Sequence, residues 1–310
     1  MAIINSVLGP LDTVNLGFTL MHEHVLVGSA GVYSTYPELY GPNTKDCIIN
    51  LLKKAKQGGV DTIVDASTLD LDRHVRLLSE VSRLTEINII ACTGSWLDIP
   101  RCYAGVTSDQ LAEVFSREIE KGISGTDIKA GILKAASDME GVKPDEEKVL
   151  RAVARSHLRT GVPIMLHSYS PGQVGWQQLD ILKDEGVELR HVKMDHCSDT
   201  TDLDYLVSLI EAGCYLGMER NPGRVRQVTA LARIKTIKAL IEKGYAKRIC
   251  PSMDGNCVPV EKRLTLNPHG FLYIQEVVIP KLREMGVPEP ELSRLCIDAP
   301  RKFFEGREKS

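Results

Sequence analysis

The chain has 310 residues, of which 43% are hydrophobic and 25% charged, ordinary proportions for a globular protein with a sizeable core. Lysine and arginine total 38 against 41 aspartates and glutamates, a net charge of −3, and aromatic residues make up only 5%. Nucleic acid is therefore excluded as a main partner, since phosphate binding leaves a basic surplus and base stacking needs aromatic platforms.

A repeating rhythm runs along the chain: a short apolar run, polar residues, then a longer amphipathic stretch. The short runs are GFTLMH (17–22), DTIVDAS (61–67), NIIACTG (88–94), AGILKAAS (130–137), PIMLHS (163–168), HVKMDH (191–196), CYLGME (214–219) and RICPSMD (248–254). Most lack strict apolar–polar alternation, as expected for parallel strands covered on both faces. Between them, 109–123, 146–161, 202–213 and 233–244 place apolar residues three and four apart, and each stretch closes near a glycine. Strand then helix, repeated eight times, predicts a single-domain (β/α)8 TIM barrel over 1–310. An open doubly wound sheet is the other candidate, but no GxGxxG turn follows the first strand. No apolar run reaches the ~20 residues of a membrane span. The opening MAIINSVLGPLDTVNLGF lacks a signal-peptide pattern, so a cytoplasmic protein with no membrane partner is expected. The eight cysteines are scattered without a CxxC pair, and they read as small buried hydrophobes in a reducing compartment.

Catalytic residues of a barrel sit at the C-terminal ends of its strands. The first run ends in His22-Glu23-His24, and period-two geometry puts both imidazoles on one face, a pairing that suits a divalent transition metal. The fifth run ends in His167, the sixth in His196 and the eighth in Asp254, while Lys134 lies inside the fourth. Each alone has a plain structural reading: a hydrogen-bonded histidine, a snorkelling lysine, an aspartate capping a turn. As a set, four of only eight histidines fall at strand mouths. The remaining histidines (74, 157, 191 and 269) lie on helix faces or away from those mouths and are expected to be non-catalytic. An ammonium beside two divalent cations would be repelled. A buried lysine loses its charge readily, and its neutral amine can add carbon dioxide to give a carbamate able to bridge two metals.

GFTLMHEHVLV, TGSWLDIP, AGILKAASD, GVPIMLHS, HCSDTTDLDYL, the SMD of the eighth run and the closing IPKLREMGVPEPELSRLCIDAPRKFF appear in order. As a set they resemble the phosphotriesterase family of the amidohydrolase superfamily, which includes phosphotriesterases and phosphotriesterase-like lactonases. The resemblance implies a binuclear centre: His22, His24 and Asp254 on the more buried metal, His167 and His196 on the more exposed one, and carboxylated Lys134 bridging both. Zinc is the first expectation, with cobalt, manganese or iron as alternatives. The implied chemistry is attack of a metal-bridging hydroxide on a lactone or related carboxylic ester, with phosphotriester hydrolysis as a second activity. Asp254 would take the proton, Arg220 would orient Asp254 and Asp199 in a relay, and Trp96, with Arg220, would line the substrate pocket. A homodimer is also implied.

The chain departs from the family around Met253 and Cys257 and in the loop after the seventh run, the regions that choose substrate. Arg101, Arg220, Arg224, Arg226, Lys262 and Arg263 fall in segments expected to rim the mouth, where they suit either an anionic substrate tail or a solvated loop surface. The competing functions are an amidase for a small N-acyl compound and a metal-free binding or scaffold barrel.

Overall fold

The structure, a computed structural model, describes residues 2–222, 228–257 and 268–306. Eight parallel strands form the barrel: β1 Thr19–His24, β2 Thr62–Asp65, β3 Asn88–Gly94, β4 Ile132–Ala136, β5 Ile164–His167, β6 Val192–Met194, β7 Tyr215–Met218 and β8 Ile249–Pro251. Each pairs with its neighbour in chain order, so no strand order reverses and the doubly wound alternative is excluded. All eight apolar runs of the sequence are barrel strands.

The helices between them are α1 Thr44–Gln57, α2 Val75–Thr85, α3 Ser108–Glu120, α4 Pro144–Thr160, α5 Gly175–Asp184, α6 Leu203–Glu211 and α7 Ala230–Glu242. Thr107 caps α3 in a reciprocal box with Gln110, satisfying two amide donors that the first turn leaves free. Helix α4 ends at Gly161, whose φ of 73° is the left-handed stop that the glycine in the sequence signals. Among the described residues no helix is long and apolar enough to cross a membrane. Six of the eight cysteines are buried, as small hydrophobes would be.

Two apolar layers hold the barrel. The outer one packs strands against helices, with Leu20, Ile63, Ile89, Leu133, Leu166 and Leu216 facing outward. The inner one fills the barrel floor with Met21, Val64, Ile90, Cys92, Ile132, Met165, Tyr215 and Cys250. It is closed from below by the C-terminal helix Ala299–Glu305, whose Phe303 is fully buried with its ring 5.2 Å from Tyr215. An N-terminal hairpin, Ile3–Ser6 with Gly9–Asp12, adds Ile4 and Leu11 to that plug.

The barrel closes between β8 and β1 by a mixed seam. The Ser252 hydroxyl oxygen accepts from the His22 amide at 3.1 Å, and the Asp254 amide donates to the His22 carbonyl at 3.1 Å. A two-residue strand, Gly255–Asn256, then runs parallel to the end of β1. The register of β1 against β2 shifts between Leu20 and Glu23. This irregularity lets Met21 join the floor while His22 and His24 both turn to the mouth.

Truncating the floor plug tests the inner layer. Phe303→Ala is expected to cost about 3–5 kcal/mol, read as a fall in the urea midpoint at unchanged slope.

Candidate active site

The inward face of the barrel changes character one layer above the floor. Ile132 is followed two residues on by Lys134, Met165 by His167, Tyr215 by Gly217 and then Glu219, and Cys250 by Ser252 and then Asp254. Period two carries each strand from the apolar plug into a polar layer at the C-terminal mouth. His22, Lys134, His167 and His196 are all nearly fully buried there.

The six residues singled out in the sequence converge. The Nε2 atoms of His22 and His24 lie 3.5 and 3.3 Å from Asp254 Oδ1. Lys134 Nζ is 3.2 Å from His22 Nε2. His196 Nε2 is 2.8 Å from His167 Nδ1, and the His22 and His196 rings are 5.0 Å apart. Gly94, at the end of β3, leaves room for this: a Cβ there would lie 1.9 Å from the Lys134 carbonyl oxygen.

His196 and Asp254 lie just beyond the regular strands rather than in them. With Arg220 they adopt left-handed backbone, at φ of 61°, 54° and 60°. Such conformations are strained for residues with a Cβ and persist only where the surroundings enforce them. At Asp254 the enforcing group is Glu23, the middle residue of the HxH. Its fully buried carboxylate accepts from Ser252 Oγ at 2.6 Å, from the Met253 amide at 2.8 Å and from the Gly255 amide at 2.6 Å. Burial pushes the Glu23 carboxyl up to about 8, while those donors pull it down.

Whether these groups suit divalent cations depends on which imidazole nitrogens carry lone pairs. Ser67 Oγ donates to the Leu26 carbonyl at 2.9 Å, so it accepts from His24 Nδ1 at 2.9 Å, and the His24 lone pair is on Nε2, facing Asp254. Asp195 Oδ2 stands 3.0 Å from His22 Nδ1, which places the His22 lone pair on Nε2 as well. Glu219 and Asp138 stand 3.7 Å behind His196 Nδ1 and His167 Nε2. His22 and His24 thus turn Nε2 inward, while His167 Nδ1 and His196 Nε2 face each other at 2.8 Å with Asp138 and Glu219 on the far side of the two rings; an acceptor behind the ring is the arrangement metal-binding histidines use. Burial, assisted by the Lys134 charge, lowers His22 to about 3. Burial also lowers His167, and His196 falls well below the ordinary range. Neutral imidazole is the form that binds a metal. Burial alone would raise the Asp254 carboxyl, while its neighbours His24, His22 and Arg220 hold it low. Three of these residues, His22, His24 and Asp254, bring ligand atoms close enough together to share one ion. The donor set therefore fits divalent cations.

Arg220 joins the centre to a second carboxylate. Its Nε donates to Asp254 Oδ2 at 3.3 Å and its NH1 to Asp199 Oδ2 at 2.5 Å, while buried Arg233 holds the other Asp199 oxygen at 2.9 Å. Trp96 is half-buried at the mouth and points Nε1 at His167 Nδ1 from 3.3 Å. Asp70 fixes its backbone, accepting from the Trp96 amide at 3.0 Å. Arg101 is exposed. Arg224, Arg226, Lys262 and Arg263 lie outside the described residues. The other four histidines stay away from the mouth: His74 caps α2, His157 packs against His191, and His269 pairs with Glu276.

Sequence reasoning did not pick out Glu23, Ser67, Asp138, Lys193, Asp195, Glu219 or Ser252. The available signal was charge inside strand-like runs, as in HVKMDH and CYLGME, where Lys193 and Asp195 share a face.

The sequence profile of the phosphotriesterase family matches residues 2–304. A phosphotriesterase homology protein of Mycobacterium tuberculosis is 39% identical over 97% of both chains. An aryldialkylphosphatase of Saccharolobus solfataricus is 34% identical over 95% of this chain and 96% of that one. An N-acetyltaurine hydrolase of Xenopus tropicalis is 25% identical over 97% of both. The solved structure of the phosphotriesterase from Mycobacterium tuberculosis superposes with a TM-score of 0.92 at 38% identity, covering 98% of each chain. The chain belongs to the phosphotriesterase family. It is a TIM-barrel hydrolase whose mouth carries candidate metal-binding histidines and aspartate.

Glu23→Gln turns one acceptor oxygen of a carboxyl that three donors face into an NH2 group that cannot accept. A buried donor left unsatisfied costs about 1–3 kcal/mol, and a loss of stability of that size is expected by urea denaturation.

Proposed function

We propose that this chain cleaves lactones or related carboxylic esters with the help of two divalent cations, zinc first among the candidates, and hydrolyses phosphotriesters as a second activity. The observation that carries this reading is the convergence of four imidazoles with Asp254 and Lys134 in one layer at the strand ends. His22, His24 and Asp254 would hold one cation and His167 and His196 the other, with a carboxylated Lys134 between them. Bound there, the cations would lower the pKa of water so that hydroxide is available at neutral pH, and would polarise the carbonyl or phosphoryl oxygen.

The chain's own residues do the rest. Asp254 accepts the proton of the attacking water. Arg220 cannot accept a proton at neutral pH. Its two donors fix Asp254 and Asp199 relative to each other, and Arg233 holds Asp199 from behind. Trp96 forms a wall of the pocket beside His167. The tetrahedral intermediate of ester hydrolysis has the shape of a phosphotriester, so one pocket serves both substrates. The relative named aryldialkylphosphatase supports the phosphotriester activity.

A second reading, hydrolysis of a small N-acyl compound, is favoured by the relatives named N-acetyltaurine hydrolase, since the same nucleophile attacks an amide. A homodimer and a cytoplasmic location remain part of the proposal.

A panel of lactones, paraoxon and N-acyl amino acids, run on protein with quantified metal, separates these readings. Lactones are expected to be cleaved fastest, chelation is expected to abolish turnover, and Lys134→Ala is expected to lower kcat by at least about 100-fold, or ~2.7 kcal/mol. Fastest turnover of the N-acyl compounds selects the amidase. Protein that takes up less than one zinc per chain and is unaffected by His22→Ala is a metal-free binding barrel. Asp199→Asn leaves Arg220 with one carboxylate, and kcat is expected to fall about 10-fold with KM little changed, the pattern of an interaction used in the transition state.

A further inference from the structure

Beneath the proposed centre lies a buried charge cluster that the chemistry above does not use. Lys193, on β6, is fully buried and donates to two carboxylates, Asp195 Oδ1 and Glu219 Oε1, the latter at 2.9 Å. Each carboxylate turns its other oxygen to a different histidine. Asp195 Oδ2 lies 3.0 Å from His22 Nδ1. Glu219 Oε2 accepts from the His196 amide at 2.6 Å and stands 3.7 Å from its Nδ1. One ammonium therefore sits behind both proposed cation positions, through His22 on one side and His196 on the other.

The cluster is built into the fold. Lys193 and Asp195 face inward as an i, i+2 pair. Glu219 bends back down the barrel because Gly217, two residues earlier on the same face, has no side chain: a Cβ there would lie 1.8 Å from Glu219 Oε1. Three fully buried charged groups are costly and persist only when mutually paired. Without Lys193, two carboxylates would face each other with no counter-charge. With it, the cluster keeps one net negative charge directly under a site proposed to hold two cations. Carboxylates behind ligating histidines commonly set metal affinity by 10- to 100-fold.

We propose that Lys193 is a positioning residue that couples the two cation positions, holding Asp195 against His22 and Glu219 against His196. This inference rests on the two-cation reading above. The test is zinc retention. Wild type, Asp195→Asn, Glu219→Gln, their double variant, Lys193→Met and Gly217→Ala are loaded with zinc in bicarbonate and equilibrated against rising dipicolinate. Zinc per chain is then counted, with circular dichroism reporting the fold.

Wild type is expected to keep two equivalents. Asp195→Asn and Glu219→Gln are each expected to release one equivalent at about 10- to 100-fold lower chelator, and the double variant both. Lys193→Met is expected to release both early. Gly217→Ala, which displaces Glu219 without changing any charge, is expected to behave as Glu219→Gln. Should Lys193→Met fail to fold, the two single carboxylate variants decide alone. Folded Asp195→Asn and Glu219→Gln that hold both equivalents as tightly as wild type overturn the inference while leaving the two-cation reading intact. Wild type that holds no zinc overturns both.

Discussion

The Glu23 carboxylate is the contact on which the rest depends. It lies where the last strand of the barrel meets the first, and its partners are the three residues that flank Asp254. Barrel closure and placement of Asp254 are thus one event. A seam closed only by backbone ladder bonds would fix the strands but leave the residues beyond β8 free to choose their course. Here the seam continues past the strand end as hydrogen bonds from one hydroxyl and two amides to the single Glu23 carboxyl. The residue between the two histidines is therefore no spacer. It is the anchor that lets His22, His24 and Asp254 meet.

The barrel interior is graded. Its floor is apolar and closed by Phe303 and Tyr215, and its upper layer is almost entirely ionisable. The gradient keeps the polar layer desolvated from below, which favours neutral His22, His167 and His196 and magnifies every charge among them. It also explains why so many carboxylates are needed behind the ligand set. In a dry layer no imidazole nitrogen can rely on water, so Asp195, Glu219, Asp138 and Ser67 each stand behind one ring.

Much of this was legible in the sequence, for identifiable reasons. The eight strands could be read because parallel barrel strands are apolar on both faces and glycines end the helices. The six ligand candidates could be read because strand mouths are fixed by the fold, and HxH, the lysine inside AGILKAAS and MDH are conspicuous there. The residues behind them were not legible. Lys193 meets Glu219 across two neighbouring strands, and Glu23 meets Ser252 across the closure of the barrel. Such pairs depend on register, and at β1 the register is shifted by an irregularity that no local pattern announces. Substrate choice was equally hidden, because it belongs to loops whose sequences depart from the family around Met253 and Cys257.

Three consecutive strand ends, at His196, Arg220 and Asp254, turn through left-handed backbone. A carboxylate is bonded at each turn: Glu219 to the His196 amide, Asp199 to the Arg220 guanidinium, and Glu23 to the amides on either side of Asp254. The chain is pinned at those points and then departs. The segment beyond each pin can lengthen, shorten or change composition without dragging the reactive groups along, because the strain is absorbed before the loop begins. A barrel built in this way can trade one substrate for another by rewriting its rim, and the machinery beneath would register none of the edits.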